Sequence, residues 1–348
     1  MWVMVTGGAG YIGSHAVLAL REAGFDVVVY DNLSRGFADA LASEDFRGVP
    51  LVRGDVGDRQ LVGETVRRFG VQAVMHFAAL AQVAESVAEP VGYFRNNLVQ
   101  GLDFVETLLD AGINTFIFSS TAAVYGEPQT IPIPEDHPTC PTNPYGMSKL
   151  SFEYVLASLA RARGLRYATL RYFNVAGADP QGRAGERHDP ETHLIPLVLR
   201  AASSGKAVDI FGTDYPTPDG TCIRDYIHVT DLVAAHILAL RALLTGAVAS
   251  HLPSGAGYGL KYNLGSQKGY SVREIITAAE KVVGHSIKVR EAGRRPGDPA
   301  VLVASSERIR QELGWQPRFG LDEILATAWA WEQKRQTVNK GQSEEHGR

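Results

Sequence analysis

A tyrosine and a lysine four residues apart, Tyr145 and Lys149, have the side-chain types and the spacing for proton transfer. Residues four apart share one face of a helix. An ammonium group beside a phenol favours the phenolate, so the Tyr145 pKa is predicted to fall below its usual value of about 10. Such a phenolate is a general base for a sugar or alcohol hydroxyl. Taken alone, the pair is also explained by a surface or packing role, because this spacing is common in long helices.

A glycine-rich turn lies near the start of the chain. The run GGAGYIG at residues 7–13 directly follows a predicted strand and fits both G-x-G-x-x-G and G-x-x-G-x-x-G. Glycines allow a tight turn and let the backbone approach a pyrophosphate at the N-terminus of the next helix. A flexible surface loop is the alternative, but the strand before the turn and the predicted helix after it favour dinucleotide binding.

Aspartates follow the next two predicted strands. Asp31 stands 18 residues after Gly13. A carboxylate there accepts a hydrogen bond from a ribose 2′-hydroxyl and repels a 2′-phosphate, which favours NAD over NADP. The nearby Arg35 softens that preference, and Asp31 could instead cap a turn with Asn32. Asp55 is predicted to accept from the adenine amino group, and capping of the next helix is nearly as plausible.

Hydroxyl side chains end the fifth predicted strand, at residues 119–121. Ligands of a parallel α/β sheet bind at the carboxyl ends of its strands, so Thr121 is predicted to hydrogen-bond a substrate hydroxyl next to Tyr145. Turn or cap chemistry is the alternative for such a cluster, but the Tyr–Lys pair downstream favours the site. His76, at the end of the fourth strand, is assigned no chemistry because it could be a core histidine.

Charged residues in the second half of the chain are candidates for binding a diphosphate. Arg224 lies in CIRDY, and Arg295 and Asp298 lie in RRPGD. Arginines there would clamp the phosphates, and Asp298 would accept from a ribose hydroxyl. Surface salt bridges explain these residues equally well. No metal site is predicted.

The composition, with 45% hydrophobic and 21% charged residues among 348, is that of an ordinary globular protein of about two domains. A net charge of −4 gives no indication of nucleic-acid or membrane binding. The two cysteines, Cys140 and Cys222, form no C-x-x-C motif and favour a reducing cytoplasm. The first strand is expected to start at Trp2, which leaves no room for a signal peptide, and no long apolar run is present.

Short β-branched runs alternate with helical patterns in the first half, which predicts an α/β fold with a Rossmann-type, doubly wound parallel sheet. The predicted strands are Trp2–Thr6, Asp26–Tyr30, Leu51–Arg53, Ala73–His76, Thr115–Ser119 and Arg166–Arg171. The predicted helices are Tyr11–Ala23, Asp58–Phe69, Asn97–Asp110, Tyr145–Ala162, Ile195–Ser203, Val229–Leu244 and Val272–Val283.

The composition shifts after about residue 174, where loops rich in Gly, Pro and Asp replace the regular alternation. We therefore predict an NAD-binding domain at residues 1–175, to which later segments return. A smaller C-terminal α/β lobe that binds the substrate would span residues 176–332. The polar stretch 333–348 lacks a hydrophobic period and is predicted to be a flexible tail.

Taken together, these motifs resemble the extended short-chain dehydrogenase/reductase family, and within it the enzymes that invert C4 of UDP-hexoses. The resemblance runs from Val3 to about Gln333. The glycine turn and the Tyr–Lys pair are shared across the family, whereas Phe173-Asn174, GTCIRDYIHV and RRPGD point to the C4-inverting branch.

The resemblance implies a role for each matched residue. Tyr145 is the base, Lys149 binds the nicotinamide ribose and tunes Tyr145, and Thr121 contacts the substrate. NAD-contact positions are Gly7, Gly10, Tyr11, Ile12, Gly13, Asp31, Asn32, Asp55, Val56, Phe77, Ala78, Asn96, Ser119, Tyr145, Lys149 and Phe173. Nucleotide-sugar positions are Thr121, Asn174, His193, Leu194, Phe211, Arg224, Arg295, Asp298 and Leu302.

The implied activity is interconversion of UDP-glucose and UDP-galactose through a transient 4-keto sugar and NADH, in a homodimer. UDP-N-acetylhexosamines are alternative substrates, because Leu302 is intermediate in size between the residues found at the sugar pocket. UDP-pentoses are another alternative, because TCIRDYIHV resembles bacterial members that accept them. Ala81 replaces a lysine of some members, which removes one cofactor contact. A nucleotide-sugar 4,6-dehydratase is less favoured, since Ala122-Ala123 stands where elimination commonly needs Asp-Glu. A non-catalytic NAD-sensing regulator has little use for the intact Thr121, Tyr145 and Lys149 set.

Overall fold

The computed structural model describes residues 1–295 and 297–345, with side chains to residue 337. Its strands, in chain order, are β1 Trp2–Thr6, β2 Asp26–Asp31, β3 Leu51–Arg53, β4 Val71–His76, β5 Thr115–Thr121, β6 Arg166–Tyr172, β7 Asn174–Ala176, β8 Val208–Phe211, β9 Ile223–His228, β10 Tyr258–Leu264, β11 Gly269–Ser271, β12 Val289–Ala292 and β13 Val301–Leu302.

The α-helices are α1 Tyr11–Glu22, α2 Arg59–Phe69, α3 Val83–Ala88, α4 Pro90–Phe94, α5 Gly101–Asp110, α6 Pro144–Arg163, α7 Leu194–Ser204, α8 Val229–Thr245, α9 Val272–Val283, α10 Glu307–Leu313 and α11 Leu321–Glu345. A π-helical segment, Arg95–Gln100, joins α4 to α5, and 3₁₀ turns lie at Ala38–Leu41, Glu44–Phe46 and Ala122–Val124. In the described part of the chain, no helix is both long and apolar enough to span a membrane.

Seven parallel strands form the main sheet, in the order β10-β6-β5-β4-β1-β2-β3. Helices cover both faces, and each strand alternates side chains between them. Val3 and Val5 pack in one hydrophobic cluster with α1 and α8. Met4, between them, packs in the other cluster with α2, α5 and α6. The carboxyl ends of the strands therefore open along one edge, where the predicted ligand residues lie.

A smaller lobe stands beyond β6. The strands β7, β9, β11 and β13 make one small sheet, and β8 pairs with β12. Helices α7, α9 and α11 pack together against these strands around a third hydrophobic cluster.

The structure confirms the doubly wound fold, and it shows a seventh strand that the sequence analysis did not identify. This strand, β10, pairs with β6 and returns from the second half of the chain to the main sheet. The predicted helix over residues 97–110 is divided, because its first residues belong to the π-helical segment. The predicted tail from residue 333 continues α11 as a helix to Glu345, and residues 346–348 lie outside the described residues. The domain division at residue 175 stays a prediction.

Candidate active site

The glycine turn joins β1 to α1 and is built so tightly that side chains do not fit. A Cβ at Gly13 would lie 2.1 Å from the carbonyl oxygen of Gly7, and a Cβ at Gly7 would lie 2.7 Å from the amide nitrogen of Ala78. Gly7 also has φ +69°, which favours glycine. Gly10 is the N-cap residue of α1, and no side chain caps this N-terminus within the described residues. The first turn of α1, with Tyr11 and Ile12, thus presents its backbone amides to an anion.

Asp31, at the carboxyl end of β2, holds the glycine turn in place. Its Oδ2 accepts a hydrogen bond from the backbone amide of Ala9 at 2.9 Å, and its Oδ1 accepts from Leu33 at 2.8 Å. The side chain is buried. The turn-capping alternative is therefore present, but each oxygen keeps a second lone pair for a ribose hydroxyl.

Asn32 and Asp55 extend this edge toward β3. Asn32 Nδ2 donates to Asp55 Oδ2 at 3.0 Å, and Asp55 Oδ1 accepts from the amide of Gly57. Val56 is buried beside them. Arg35, which could have favoured a 2′-phosphate, is instead ion-paired with Glu85.

Tyr145 and Lys149 are placed by the start of α6. Asn143 caps this helix by accepting the amide of Gly146 at 2.9 Å, and Pro144 occupies the first helical position. A Cβ at Gly146 would lie 2.5 Å from the carbonyl oxygen of Ala123, so the helix start packs closely on the turn after β5. The cap and this close contact bring Tyr145 next to Thr121.

The predicted lowering of the Tyr145 pKa is wrong for the chain by itself. Burial raises the pKa of the phenol, and the nearby Thr121 hydroxyl only partly opposes the rise. The Thr121 hydroxyl also accepts from the amide of Ala123 at 3.1 Å. Desolvation raises the phenol pKa more than the nearby polar groups lower it, because the Lys149 amine bonds to the Ser119 carbonyl rather than to the phenol.

Lys149 Nζ donates to the backbone carbonyl of Ser119 at 2.8 Å and lies 4.9 Å from the centre of the Phe118 ring. Burial lowers the pKa of this amine to about 7, although Glu153 raises it. Lys149 thus ties α6 to the carboxyl end of β5 and is poised between its two protonation states.

A hydrogen-bonded asparagine that the sequence analysis missed links three elements of the site. Asn97, in the π-helical segment, pairs with the backbone of Leu80 through both its side-chain atoms and donates to Ser148 Oγ at 3.1 Å. The predicted cofactor residue Asn96 donates to Asn97 Oδ1 at 2.8 Å. Asn97 therefore holds the loop after β4 against α6. A π-helical turn often marks a functional site, but its single extra residue is not visible in a sequence pattern.

Phe173 and Leu302 lie together next to the turn that carries Thr121. Both pack against a small hydrophobic cluster that includes Ala122, Val124 and Leu150. In the sheet register Leu302 is the partner of Arg224, so the sugar-pocket candidate and a diphosphate candidate are neighbours.

The other candidates for the nucleotide form two pairs in the smaller lobe. Arg224 is buried and ion-paired with Asp298. The guanidinium of Arg295 lies 3.9 Å from the centre of the Phe211 ring, a cation–π contact. Arg224 and Asp298 thus form an ion pair, but a largely buried one rather than a surface one, and their nucleotide roles stay predictions.

The remaining candidates lie directly after β4 and in the smaller lobe. Phe77 and Ala78 follow β4, where their amides donate to Thr6. Asn174 begins β7, and Leu194 begins α7. His193, the N-cap residue of α7, is 2.5 Å from Glu186 Oε1 through its Nδ1.

The site can be compared with known proteins. The family model described as "NAD dependent epimerase/dehydratase family" matches residues 3–252. The chain belongs to this family. It is 50% identical over 332 residues to the UDP-glucose 4-epimerase of Azospirillum brasilense, which covers 95% of this chain and 91% of that protein.

Solved structures of the family superpose over nearly the whole chain. UDP-glucose-4-epimerase from Stenotrophomonas maltophila, with bound NAD and formylated UDP-arabinopyranose, has a TM-score of 0.90 at 38% identity, covering 97% of this chain and 99% of that one. UDP-glucose 4-epimerase from Brucella ovis in complex with NAD has a TM-score of 0.87 at 44% identity, covering 94% and 97%.

The residues of this chain fit the cofactor of its family. The glycine turn leaves the N-terminus of α1 without a side-chain cap, as a pyrophosphate requires. A buried carboxylate, Asp31, ends β2 where a ribose would lie, and Arg35 is occupied by Glu85. The preference for NAD over NADP follows from this arrangement.

Proposed function

We propose that this protein is a UDP-glucose 4-epimerase that interconverts UDP-glucose and UDP-galactose with NAD. The observation that carries the proposal is the meeting of Thr121, Tyr145 and Lys149 at the carboxyl end of β5. It occurs in a chain whose match to a named UDP-glucose 4-epimerase spans 95% of its length.

The side chains perform the proton transfers. Tyr145 Oη takes the proton of the sugar 4-hydroxyl while Thr121 hydrogen-bonds the same oxygen. Lys149 lies on the same face of α6 but donates to the Ser119 carbonyl in the chain by itself. With the nicotinamide ribose bound, its ammonium would favour the phenolate. The glycine turn, Asp31 and Lys149 would hold NAD, which would supply the acceptor for the C4 hydride and the donor for its return to the opposite face of the sugar. Tyr145 then gives the proton back, so it acts first as a base and then as an acid.

Inversion requires tight binding of the nucleotide and weak binding of the sugar, because the keto sugar must rotate between the two hydride transfers. Arg224 and Arg295 would hold the diphosphate, and Asp298 a ribose hydroxyl. At the sugar, Phe173 and Leu302 offer apolar surface without fixed hydrogen bonds. This contrast favours epimerisation over a simple one-way oxidation.

The alternative 4,6-dehydratase lacks support at the turn after Thr121. Ala122 is buried and Ala123 follows it in a short 3₁₀ turn, so these positions offer neither an acid nor a base for elimination. A non-catalytic NAD sensor would not need Thr121, Tyr145 and Lys149 together at one strand end.

Incubating the purified protein with UDP-galactose should give an equilibrium mixture with UDP-glucose, measured by anion-exchange chromatography. No external oxidant or reductant is consumed, because the hydride is returned in each turnover. A Tyr145→Phe sample is the control for contaminating activity. Absence of UDP-glucose even after NAD is added would contradict the proposal, and a 6-deoxy-4-keto product would favour the dehydratase.

The range of sugars depends on Leu302. We expect wild type to act on UDP-xylose as well as UDP-glucose, because a pentose only leaves space in the pocket. Leu302→Tyr should reduce any activity on UDP-N-acetylglucosamine more than activity on UDP-glucose, since the larger ring fills the space of the N-acetyl group. A kcat/KM panel on both proteins checks this, and an equal loss for every sugar would contradict it.

We also propose a homodimer in which α5 and α6 pair with the same helices of a second copy of the chain. Supporting this, apolar side chains stay exposed along these helices and the segments before them: Tyr154 is 62% exposed, Val99 53% and Leu102 42%. Unpaired apolar surface of this kind marks an interface.

The expected result is a dimer mass for wild type by size-exclusion chromatography with light scattering, and a monomer mass for Leu102→Glu. Val289→Glu is the matched control, because Val289 is 44% exposed on β12, away from these helices. A monomer mass for wild type, or no effect of Leu102→Glu, would refute the interface.

The cytoplasm is the proposed location. Both cysteines are free, with Cys140 exposed and Cys222 buried, as expected where thiols stay reduced. Labelling of both thiols under denaturing conditions without reductant, in protein from freshly lysed cells, would agree with this location, and protected thiols would not.

A further inference from the structure

The segment between β7 and α7 brings two histidines and two glutamates together. Their ligand-type atoms, one each from Glu186, His188, Glu191 and His193, all lie within 4.8 Å of one another. The two carboxylates are the most buried groups of this cluster, since the side chains of Glu186 and Glu191 are only 6% and 2% exposed. Arg200 already contacts Glu191, and a cation among the four side chains would further stabilise the two buried carboxylates.

Three of the four nitrogen–oxygen separations are close to those around a tetrahedral ion. His188 Nδ1 lies 3.2 Å from Glu186 Oε1 and 3.6 Å from Glu191 Oε1, and His193 Nδ1 lies 3.8 Å from Glu191 Oε1. Ligands about 2.0–2.2 Å from a zinc ion at tetrahedral angles stand roughly 3.3–3.6 Å apart. The remaining separation, 2.5 Å between His193 Nδ1 and Glu186 Oε1, would open by about 1 Å.

Hydrogen bonds account for part of the arrangement, because His193 Nδ1 contacts Glu186 and Glu191 accepts from Arg200 and from two backbone amides. Nδ1 of His188 is buried without a hydrogen-bond partner among the described residues, although a carboxylate oxygen is 3.2 Å away. Both histidines turn the same nitrogen, Nδ1, toward Glu186 Oε1. Convergence of two ring nitrogens on one point is what a shared ion requires.

Neighbouring residues hold the segment that carries these four side chains. Trp331 Nε1 donates to the backbone carbonyl of Glu186 at 3.0 Å, and Arg187 forms a two-pronged ion pair with Asp39. Arg200 contacts Glu191 through Oε2, while Oε1 accepts the amides of Thr192 and His193 and also faces the histidines. Outer contacts of this kind orient metal ligands.

We propose that Glu186, His188, Glu191 and His193 bind one divalent transition-metal ion of the zinc type. Imidazole nitrogen and carboxylate oxygen are ligands that zinc takes in tetrahedral sites. The ion has no part in the chemistry of Tyr145. It fixes His193 at the start of α7, and with it the segment that carries Leu194. The spacing E-x-H-x-x-E-x-H was the available signal in the sequence, where no metal was predicted.

The test is metal binding by the full-length protein after dialysis against a chelator. Titration with Zn²⁺ against a chromophoric competitor at neutral pH should give one ion per chain, and Co²⁺ should give the visible absorption of a tetrahedral nitrogen–oxygen site. His188→Gln and Glu186→Gln should each weaken Zn²⁺ binding by more than the roughly 10–100-fold that loss of an outer contact costs. The second variant keeps the test valid if the first does not fold.

His285→Gln is the matched control, because His285 lies outside the cluster and its ring nitrogens contact the backbone carbonyls of Val283 and Ala202. Its affinity should equal that of wild type. The proposal is overturned if wild type binds no Zn²⁺ or Co²⁺, or if folded His188→Gln and Glu186→Gln bind as wild type does. Binding abolished instead by Cys140→Ser would also overturn it. The readout is independent of epimerase activity, so failure here leaves the proposed function untouched.

Discussion

Replacing Tyr145 by phenylalanine should lower kcat by at least about 100-fold, while NAD binding is retained. General acid–base catalysis alone typically contributes about 10²–10⁴-fold, and both proton transfers of the proposed cycle use this phenol. The ring would keep its packing, because only the hydroxyl that meets Thr121 is removed. Steady-state conversion of UDP-galactose, together with NAD affinity by fluorescence titration, measures the two effects separately.

Tyr154→Phe is the control, since Tyr154 lies on the same helix but is 62% exposed. It should keep near-normal turnover. Near-normal turnover in Tyr145→Phe would refute its role as the base. A large loss in both variants would instead show that α6 tolerates no change, and the role of Tyr145 would then have no support from this experiment.

Replacing Arg171 by methionine should lower the free energy of unfolding by about 3–5 kcal/mol, because it leaves a carboxylate buried without its partner. Arg171, on β6, is 1% exposed and holds Glu153 of α6 through two hydrogen bonds, of 2.9 Å from Nε and 2.5 Å from Nη2. Its Nη1 donates to Tyr125 at 2.9 Å, and Ser120 donates to Glu153 at 2.6 Å. The network therefore joins β5, β6 and α6 below the catalytic residues.

Urea denaturation of the variant and two controls tests this prediction. Arg290→Met removes a similar two-pronged pair with Asp209 on the surface, and a much smaller change is expected there because water replaces the partner. The double variant Arg171→Met, Glu153→Leu should recover much of the lost stability, since no charge remains buried. Equal losses for Arg171→Met and Arg290→Met would contradict the interpretation.

The sheet and its glycine turn could be predicted from local patterns. Strand β1 reads as a short apolar run followed by glycines, and α9 was predicted with its full bounds from a helical period after Ser271. These features depend on neighbours in the chain, so the sequence contains the signal. Strand β10 was missed because its partner, β6, is about 90 residues earlier, and a pairing over that distance leaves no local pattern.

Some features of the candidate site could likewise be predicted from local spacing, and others could not. The pairing of Tyr145 with Lys149 follows from helical spacing, and Asp31 follows from its place at a strand end. The link from Asn97 to Leu80 and Ser148 joins three elements, and only their packing reveals it.

By itself, the amino-acid sequence determined the α/β fold, the dinucleotide turn and the identity of the residues at the carboxyl end of β5. These features are set by spacing and residue type over short stretches. Only the tertiary structure decided how those residues are charged. Burial raises the pKa of Tyr145 and lowers that of Lys149 to about 7, and the Lys149 amine bonds to Ser119 rather than to the phenol. Desolvation depends on everything that packs around a group, which no motif records.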